Sequence, residues 1–401
     1  MGKLFEGLKV IDCGSFIAAP TAATLLGDFG ADVIKIEPPG AGDPCRALPH
    51  LPGMPKSPHA YGWLLDNRGK RGLALDLAKP DGQAVLHRLV ARADVFVTNY
   101  PLAVRRKLAL DHERLAALNE RLIYASFTGY GETGAEAAKP GFDATAYWAR
   151  SGLMDMVRSD AATPPARALA GMGDHPSGVS LFAAITAALY QRERTGRGTQ
   201  VGSSLLANGM WSNGYMAQAA LCGATFTPRP PREKLFNALG CYYRCRDGRW
   251  LLLAIVNEAR DWPIFARCMG HADLVDDPRY AKQADRFARS AQLIALFDAA
   301  FATRDRDDWR QRLDAAGIIF ECVAEMGDLA ADQQMKDAGV LVPLEGDDAL
   351  LTISGPFFVG GAEKVPPRKA PAIGEHSDEI LREGGFDDAA IARLRDARIV
   401  V

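Results

Sequence analysis

The chain has 401 residues, 47 basic and 49 acidic, with a net charge of -2 and 48% hydrophobic residues. A chain of this length buries a large core and divides into two domains. The balanced charge leaves no footprint for nucleic acid or an anionic membrane surface, and no apolar run is long enough to span a bilayer. Small-molecule chemistry is therefore the expected business of the protein. With no secretory h-region after Met1, the expected compartment is cytoplasmic.

Taken in chain order, Lys9–Asp12 reads as a short buried strand, 21–29 as a helix stopped by Gly30, and 32–36 as the next strand. A strand at 72–77, a helix at 81–92, a strand at Val95–Thr98, a helix at 111–119 and a strand at 122–127 continue the alternation. Such a βαβ series predicts an α/β fold with a parallel sheet covered by helices on both faces. Ligands of these sheets bind at the carboxyl ends of the strands. Here those ends carry Gly14, Ser15 and Phe16, then Glu37, then Asn99 and Tyr100, then Thr128 and Gly129. No GxGxxG follows the first strand and no GxxxxGK[ST] occurs, so dinucleotide and nucleoside triphosphate enzymes are disfavoured.

Residues 171–178 read Gly-Met-Gly-Asp-His-Pro-Ser-Gly, and a helix is expected from Ser177 to Arg192 with Val179, Phe182, Ile185 and Leu189 on one face. Ser177 is the expected cap and Gly196 the stop. Asp174 then stands at the positive end of a helix, which predicts a carboxylate ionised at neutral pH. The flanking glycines offer a ligand close approach to the backbone.

The Pro-rich stretch 223–231 predicts a linker, after which 241–244 and 250–256 read as a hairpin, followed by helices to Leu313 and a last helix from Asp387. Seven scattered cysteines predict reduced thiols rather than a disulfide framework. Cys241 and Cys245 form the one close pair, with no further ligands to complete a metal site, so no metal is expected.

Several segments carry a resemblance in their order and spacing. They are Ala-Asp-Val-Ile-Lys-Ile-Glu at 31–37 with Gly42 and Asp43, Asn-Arg-Gly-Lys-Arg-Gly-Leu-Ala-Leu-Asp-Leu at 67–77, Ala-Asp-Val-Phe-Val-Thr-Asn-Tyr at 93–100, Thr-Gly-Arg-Gly at 195–198, and Gly-Glu-His-Ser-Asp at 374–378. Over nearly its whole length the chain resembles the class III CoA-transferases, the family of formyl-CoA and carnitine CoA-transferases. The resemblance implies a large Rossmann-like domain, at 1–225 and completed by a return segment at 326–401, with a smaller α+β domain inserted at 226–325. It also implies an interlocked homodimer.

By the same resemblance Asp174 is the catalytic aspartate, a covalent nucleophile that passes through anhydride and thioester intermediates while CoA moves from an acyl-CoA donor to a small carboxylic acid acceptor. Coenzyme A is then a substrate, and no resident cofactor is expected. Implied contacts to CoA are Phe16, Ala18, Leu75, Asn99, Tyr100 and Lys139, with Arg106 or Lys107 for the phosphates. Phe16 and Tyr100 read equally as core aromatics, and Arg105, Arg106 and Lys107 as a solvated helix face. Arg46 reads either as a partner for an acyl carboxylate or as a surface residue. Backbone N–H groups of Gly173, Ser177 and the region of Gly240 are candidate oxyanion donors.

The 2-methylacyl-CoA racemases share this fold and use a His in a Gly-His-Asp segment, which here reads Gly141, Phe142, Asp143. A phenyl ring transfers no proton, so the racemase is the lesser reading, and a non-catalytic CoA-binding relative is a third.

Overall fold

The computed structural model describes residues 2–401. The chain forms two compact units, one of residues 2–155, 167–222 and 333–401, the other of residues 156–166 and 223–332.

In the first unit six strands, β1 (Lys9–Asp12), β2 (Asp32–Glu37), β3 (Arg71–Ala74), β4 (Val95–Thr98), β5 (Ile123–Thr128) and β6 (Gln200–Ser204), make one parallel sheet in the order β3-β2-β1-β4-β5-β6. The expected α/β architecture with a large parallel sheet is thus what forms. Neighbouring residues on each strand face opposite sides, so the sheet is greasy on both. Ile11, Ile34 and Phe96 pack into one core, Val10, Val33 and Val95 into the other. Strand order reverses between β1 and β4, which opens a crevice beyond their carboxyl ends.

The covering helices are α1 (Ala18–Asp28), α2 (Tyr61–Asn67), α3 (Pro80–Val90), α4 (Leu102–Lys107), α5 (His112–Leu118), α6 (Leu153–Met156), α7 (Asp174–Thr195), α8 (Leu205–Ser212) and α9 (Gly214–Leu221), with a π-helical turn at Asp143–Ala149. Helix α7 corrects the sequence reading, since it starts at Asp174 rather than Ser177. The Ser177 hydroxyl donates to Gly173 O at 2.6 Å and caps no N–H. Gly196 does end the helix, with φ +74°.

In the second unit β7 (Tyr242–Arg244), β8 (Trp250–Leu253) and β9 (Phe320–Cys322) form an antiparallel sheet, with β7 and β8 the expected hairpin. Helices α10 (Glu258–Cys268), α11 (Gln283–Ala288), α12 (Ser290–Phe301) and α13 (Arg306–Ala315) accompany it, and Tyr243, Phe265, Phe297 and Trp309 anchor its separate core. Residues 156–166 join this unit, where the Ala161 N–H donates to Arg229 O.

Back in the first unit come α14 (Gln333–Asp337), the hairpin β10 (Leu341–Leu344) and β11 (Asp347–Ile353), α15 (Ser377–Glu383) and α16 (Asp388–Asp396). Leu75 pairs with Val400 in an antiparallel bridge, and the Ser377 hydroxyl donates to Val401 O at 2.7 Å. Gly374 has φ +68°, and a Cβ there would collide with Val401 O, which accounts for the glycine of the Gly-Glu-His-Ser-Asp segment. All seven cysteines are free thiols, and no helix among the described residues is long and apolar enough to cross a membrane.

Candidate active site

The turn after β1 is held by side chains from three other segments. Asp12 accepts the Gly14 N–H at 2.9 Å, and the Lys35 ammonium donates to Gly14 O at 2.7 Å. Asn99 accepts the Ser15 N–H at 2.8 Å and returns its own N–H to Ser15 O at 2.7 Å. Asp43 accepts the Phe16 N–H at 3.0 Å, at a residue whose φ of +61° is costly for a side chain with a Cβ. Below the turn, Lys35 also pairs with Asp43 at 2.8 Å, while Lys70 donates to Asp12, Asn67, Pro20 O and Asp66 O. Burial pushes Lys70 down to about 8 against the pull of Asp12. This buried charge cluster accounts for Lys35 and Asp43 of the 31–43 segment and Lys70 of the 67–77 segment, while Asp32 pairs instead with Arg71.

Helix α7 meets α1 at very close range. A Cβ on Gly178 would lie 2.7 Å from Thr21 Cβ and 2.8 Å from Ala18 O. The contact sets the first turn of α7, with Asp174, beside the start of α1 and so beside the Phe16 turn. The loop before Asp174 is gripped by Asp143, whose carboxylate accepts the N–H of Gly171 at 2.9 Å and of Gly173 at 3.5 Å. Gly171 has φ +84°, and a Cβ there would sit 2.9 Å from the His175 ring; one on Gly173 would strike Tyr147 and Asp143. These glycines are required by the protein's own packing. Phe142 lays its ring edge-on to Phe16, centroids 5.7 Å apart, and closes the circuit between the two loops.

Asp174 is a weaker acid than its helix end alone leads one to expect. Burial first, then the charge of Asp143, push its carboxyl up to about 7, with a smaller push from Asp66 and an opposing pull from His175. A carboxylate at N1 gains from the dipole, but desolvation and two acidic neighbours outweigh that. His175 points away to Asp66, with Nε2 3.0 Å from Oδ1. Burial disfavours the imidazolium, yet the Asp66 hydrogen bond and charge win and raise its pKa.

The other expected contacts fall unevenly. Phe16, Ala18, Asn99 and Tyr100 gather at the crevice between β1 and β4, Ala18 buried and Asn99 and Tyr100 half-buried. Both polar atoms of Asn99 are spent on Ser15, so its side chain shapes the turn. The Leu75 side chain is packed in the core, leaving only backbone to face a ligand. Arg106 and Lys107 are exposed, whereas Arg105 turns inward to Glu132 at 2.8 Å, so the basic run is not one solvated face. Lys139 is exposed, 3.3 Å from Glu136 and over the Tyr130 ring. Arg46 is bound bidentately by Glu37 and stacks on Trp63, which removes it as a partner for an acyl carboxylate. The N–H groups of Gly173 and Ser177 already have acceptors in Asp143 and Gly173 O.

Asp143 is the residue that sequence reasoning passed over. Its only signal was its place next to Phe142, in the segment weighed for a missing histidine.

A model of CoA-transferase family III matches residues 5–377. The chain is 33% identical over 405 residues to the (R)-2-hydroxy-4-methylpentanoate CoA-transferase of Clostridioides difficile, covering 99% of each chain. It is 32% identical over 407 residues to the cinnamoyl-CoA:phenyllactate CoA-transferase of Clostridium sporogenes, covering 100% of this chain and 98% of that protein. The crystal structure of a CAIB/BAIF family protein from Brucella suis superposes with a TM-score of 0.85 at 28% identity, over 96% of this chain and 100% of that one.

Proposed function

The chain belongs to CoA-transferase family III, and from that premise we propose that it transfers CoA from an acyl-CoA to a carboxylic acid through covalent intermediates on Asp174. The observation that carries the proposal is Asp174 itself, held by the Asp143-gripped loop beside the Phe16 turn. A carboxylate oxygen of Asp174 attacks the donor thioester carbonyl, the C–S bond breaks, and CoA leaves as thiolate from a mixed anhydride. The thiolate attacks the aspartyl carbonyl and releases the donor acid, leaving an aspartyl-CoA thioester. The acceptor carboxylate attacks that thioester, the thiolate leaves again, and its attack on the acceptor side of the new anhydride yields the new acyl-CoA and free Asp174. Each step exchanges one acyl bond for another, so no outside energy is needed. The crevice beyond β1 and β4 is the proposed seat of CoA, with Phe16, Ala18 and Tyr100 nearest and Arg106, Lys107 and Lys139 as exposed cations for phosphate.

The test is Asp174→Asn. Transfer should fall by roughly a thousandfold or more while CoA still binds. In the wild type, hydroxylamine added during turnover should leave a hydroxamate on the peptide containing 171–178, read by mass spectrometry. Near-normal turnover by the variant, or α-proton exchange of a 2-methylacyl-CoA in deuterated buffer without any CoA exchange, would sink the proposal.

We infer also that the protein is an interlocked homodimer. Trp211 on α8 and Tyr215 and Leu221 on α9 are 88%, 87% and 80% exposed, a run of large apolar side chains that calls for cover.

A further inference from the structure

The loop that carries Asp174 meets, at Ala170 and His175, a cavity of about 390 Å³, within the size range of small-molecule sites. Its wall includes Ile17, the residue after Phe16, and Ala170 and His175 on either side of Asp174 in sequence. Ile17 Cδ1 would lie 3.8 Å from a Cβ on Gly171, so cavity and loop share one wall. The rest is mostly aliphatic, from Leu48, Met54, Leu64 and Leu65 with the β11 residues Leu350 and Ile353.

Among the described residues its basic side chains are two imidazoles, His175 and the exposed His59, and no lysine or arginine lines it. Arg46, the nearest cation in sequence to Leu48, is consumed by Glu37 and Trp63. The buried acid on the wall, Asp66, already accepts from Thr21 and is paired with His175. A second carboxylate on the acyl chain would enter a largely apolar space in which His175 is already taken by Asp66, and would meet the charge of Asp66, which costs heavily. An aliphatic or phenyl group would instead cover apolar wall and gain by burial.

We propose that this cavity is the acyl pocket, and that the acids exchanged are monocarboxylates with a branched aliphatic or phenyl-bearing chain rather than dicarboxylates. This rests on the transfer reading above. Gly62 on α2 lines the same cavity, and a Cβ there would meet nothing nearer than Cys45 Sγ at 3.9 Å. A larger side chain at 62 can therefore grow into the pocket without displacing backbone, and leaving glycine suits a helix.

The experiment measures kcat/KM for CoA exchange with propionate, 4-methylpentanoate, 3-phenylpropionate, succinate and glutarate, in the wild type and in Gly62→Leu, with thermal melting to verify that the variant is folded. In the wild type the two longer monocarboxylates should exceed the dicarboxylates by on the order of a hundredfold. Gly62→Leu should cut 3-phenylpropionate by at least roughly tenfold more than it cuts propionate. Exchange that proceeds with a preference for succinate or glutarate overturns the pocket assignment and leaves the transfer reading standing, as does an equal loss of propionate and 3-phenylpropionate in a folded Gly62→Leu. Absence of exchange with every acid overturns the transfer reading and this proposal with it.

Discussion

A carboxyl group that attacks a thioester works only as its anion, so in the proposed mechanism the proton on Asp174 governs the rate in the free enzyme. With its pKa raised to about 7 by burial and by Asp143, kcat/KM should fall as pH drops through that value, because protonation removes the nucleophile. The raised pKa also makes the anion a better base and nucleophile than an ordinary aspartate. Asp143→Asn removes the second contribution and leaves burial, so the midpoint should move to lower pH yet stay above the ordinary carboxylate value. A kcat/KM profile flat between about pH 5 and pH 8 for a sample with intact Asp174 would contradict this account. The position of Asp174 was legible in its glycine-flanked run, but its proton was not. The helix end is a neighbour in sequence; Asp143 and Asp66 arrive through the fold and reverse the local expectation. Arg105 teaches the same lesson, since nothing in Arg-Arg-Lys distinguishes the side chain that turns in to Glu132 from the two that stay in water.

Among the elements, the fit of α7 against α1 matters most to the site. A methyl group on Gly178 has backbone, Ala18 O, as well as Thr21 in its way, and backbone does not rotate aside. Gly178→Ala should therefore cost ~1–3 kcal/mol in urea unfolding and lower kcat by tilting the first turn of α7. A variant as stable and as active as the wild type would show that the two helices have slack. Strands β1, β2, β4 and β5 were readable because each is a short apolar run between turn residues. Strand β6 was not, because Gln200–Ser204 holds one apolar side chain and lies at the sheet edge. Helix α2 was equally silent. Its seven residues show no apolar period, and Trp63 is tied down by a hydrogen bond to Pro371 O across 308 residues of chain.

At the scale of the whole molecule, the exposed aromatic run on α8 and α9 bears on assembly. On the proposed interlocked arrangement the protein should remain a dimer at nanomolar concentration in mass photometry, since interlocked chains separate only by unfolding. A folded, active monomer at that dilution would refute the interlocked arrangement. The Pro-rich break at 223–231 stands where the second unit resumes, whereas the membership of 156–166 in that unit had no local mark. The docking of 371–401 onto β3 and α2 carries one more consequence, for synthesis. Arg71 on the outer strand of the sheet finds Glu379 and Glu383, and Leu75 finds Val400, only after the intervening second unit has been made. The ribosome thus releases nearly all of the crevice-forming strands long before their outer neighbour is covered. Until then the apolar edge around Leu73 and Leu75 stays open, a folding intermediate that chaperones would be expected to shield and that aggregation would exploit first.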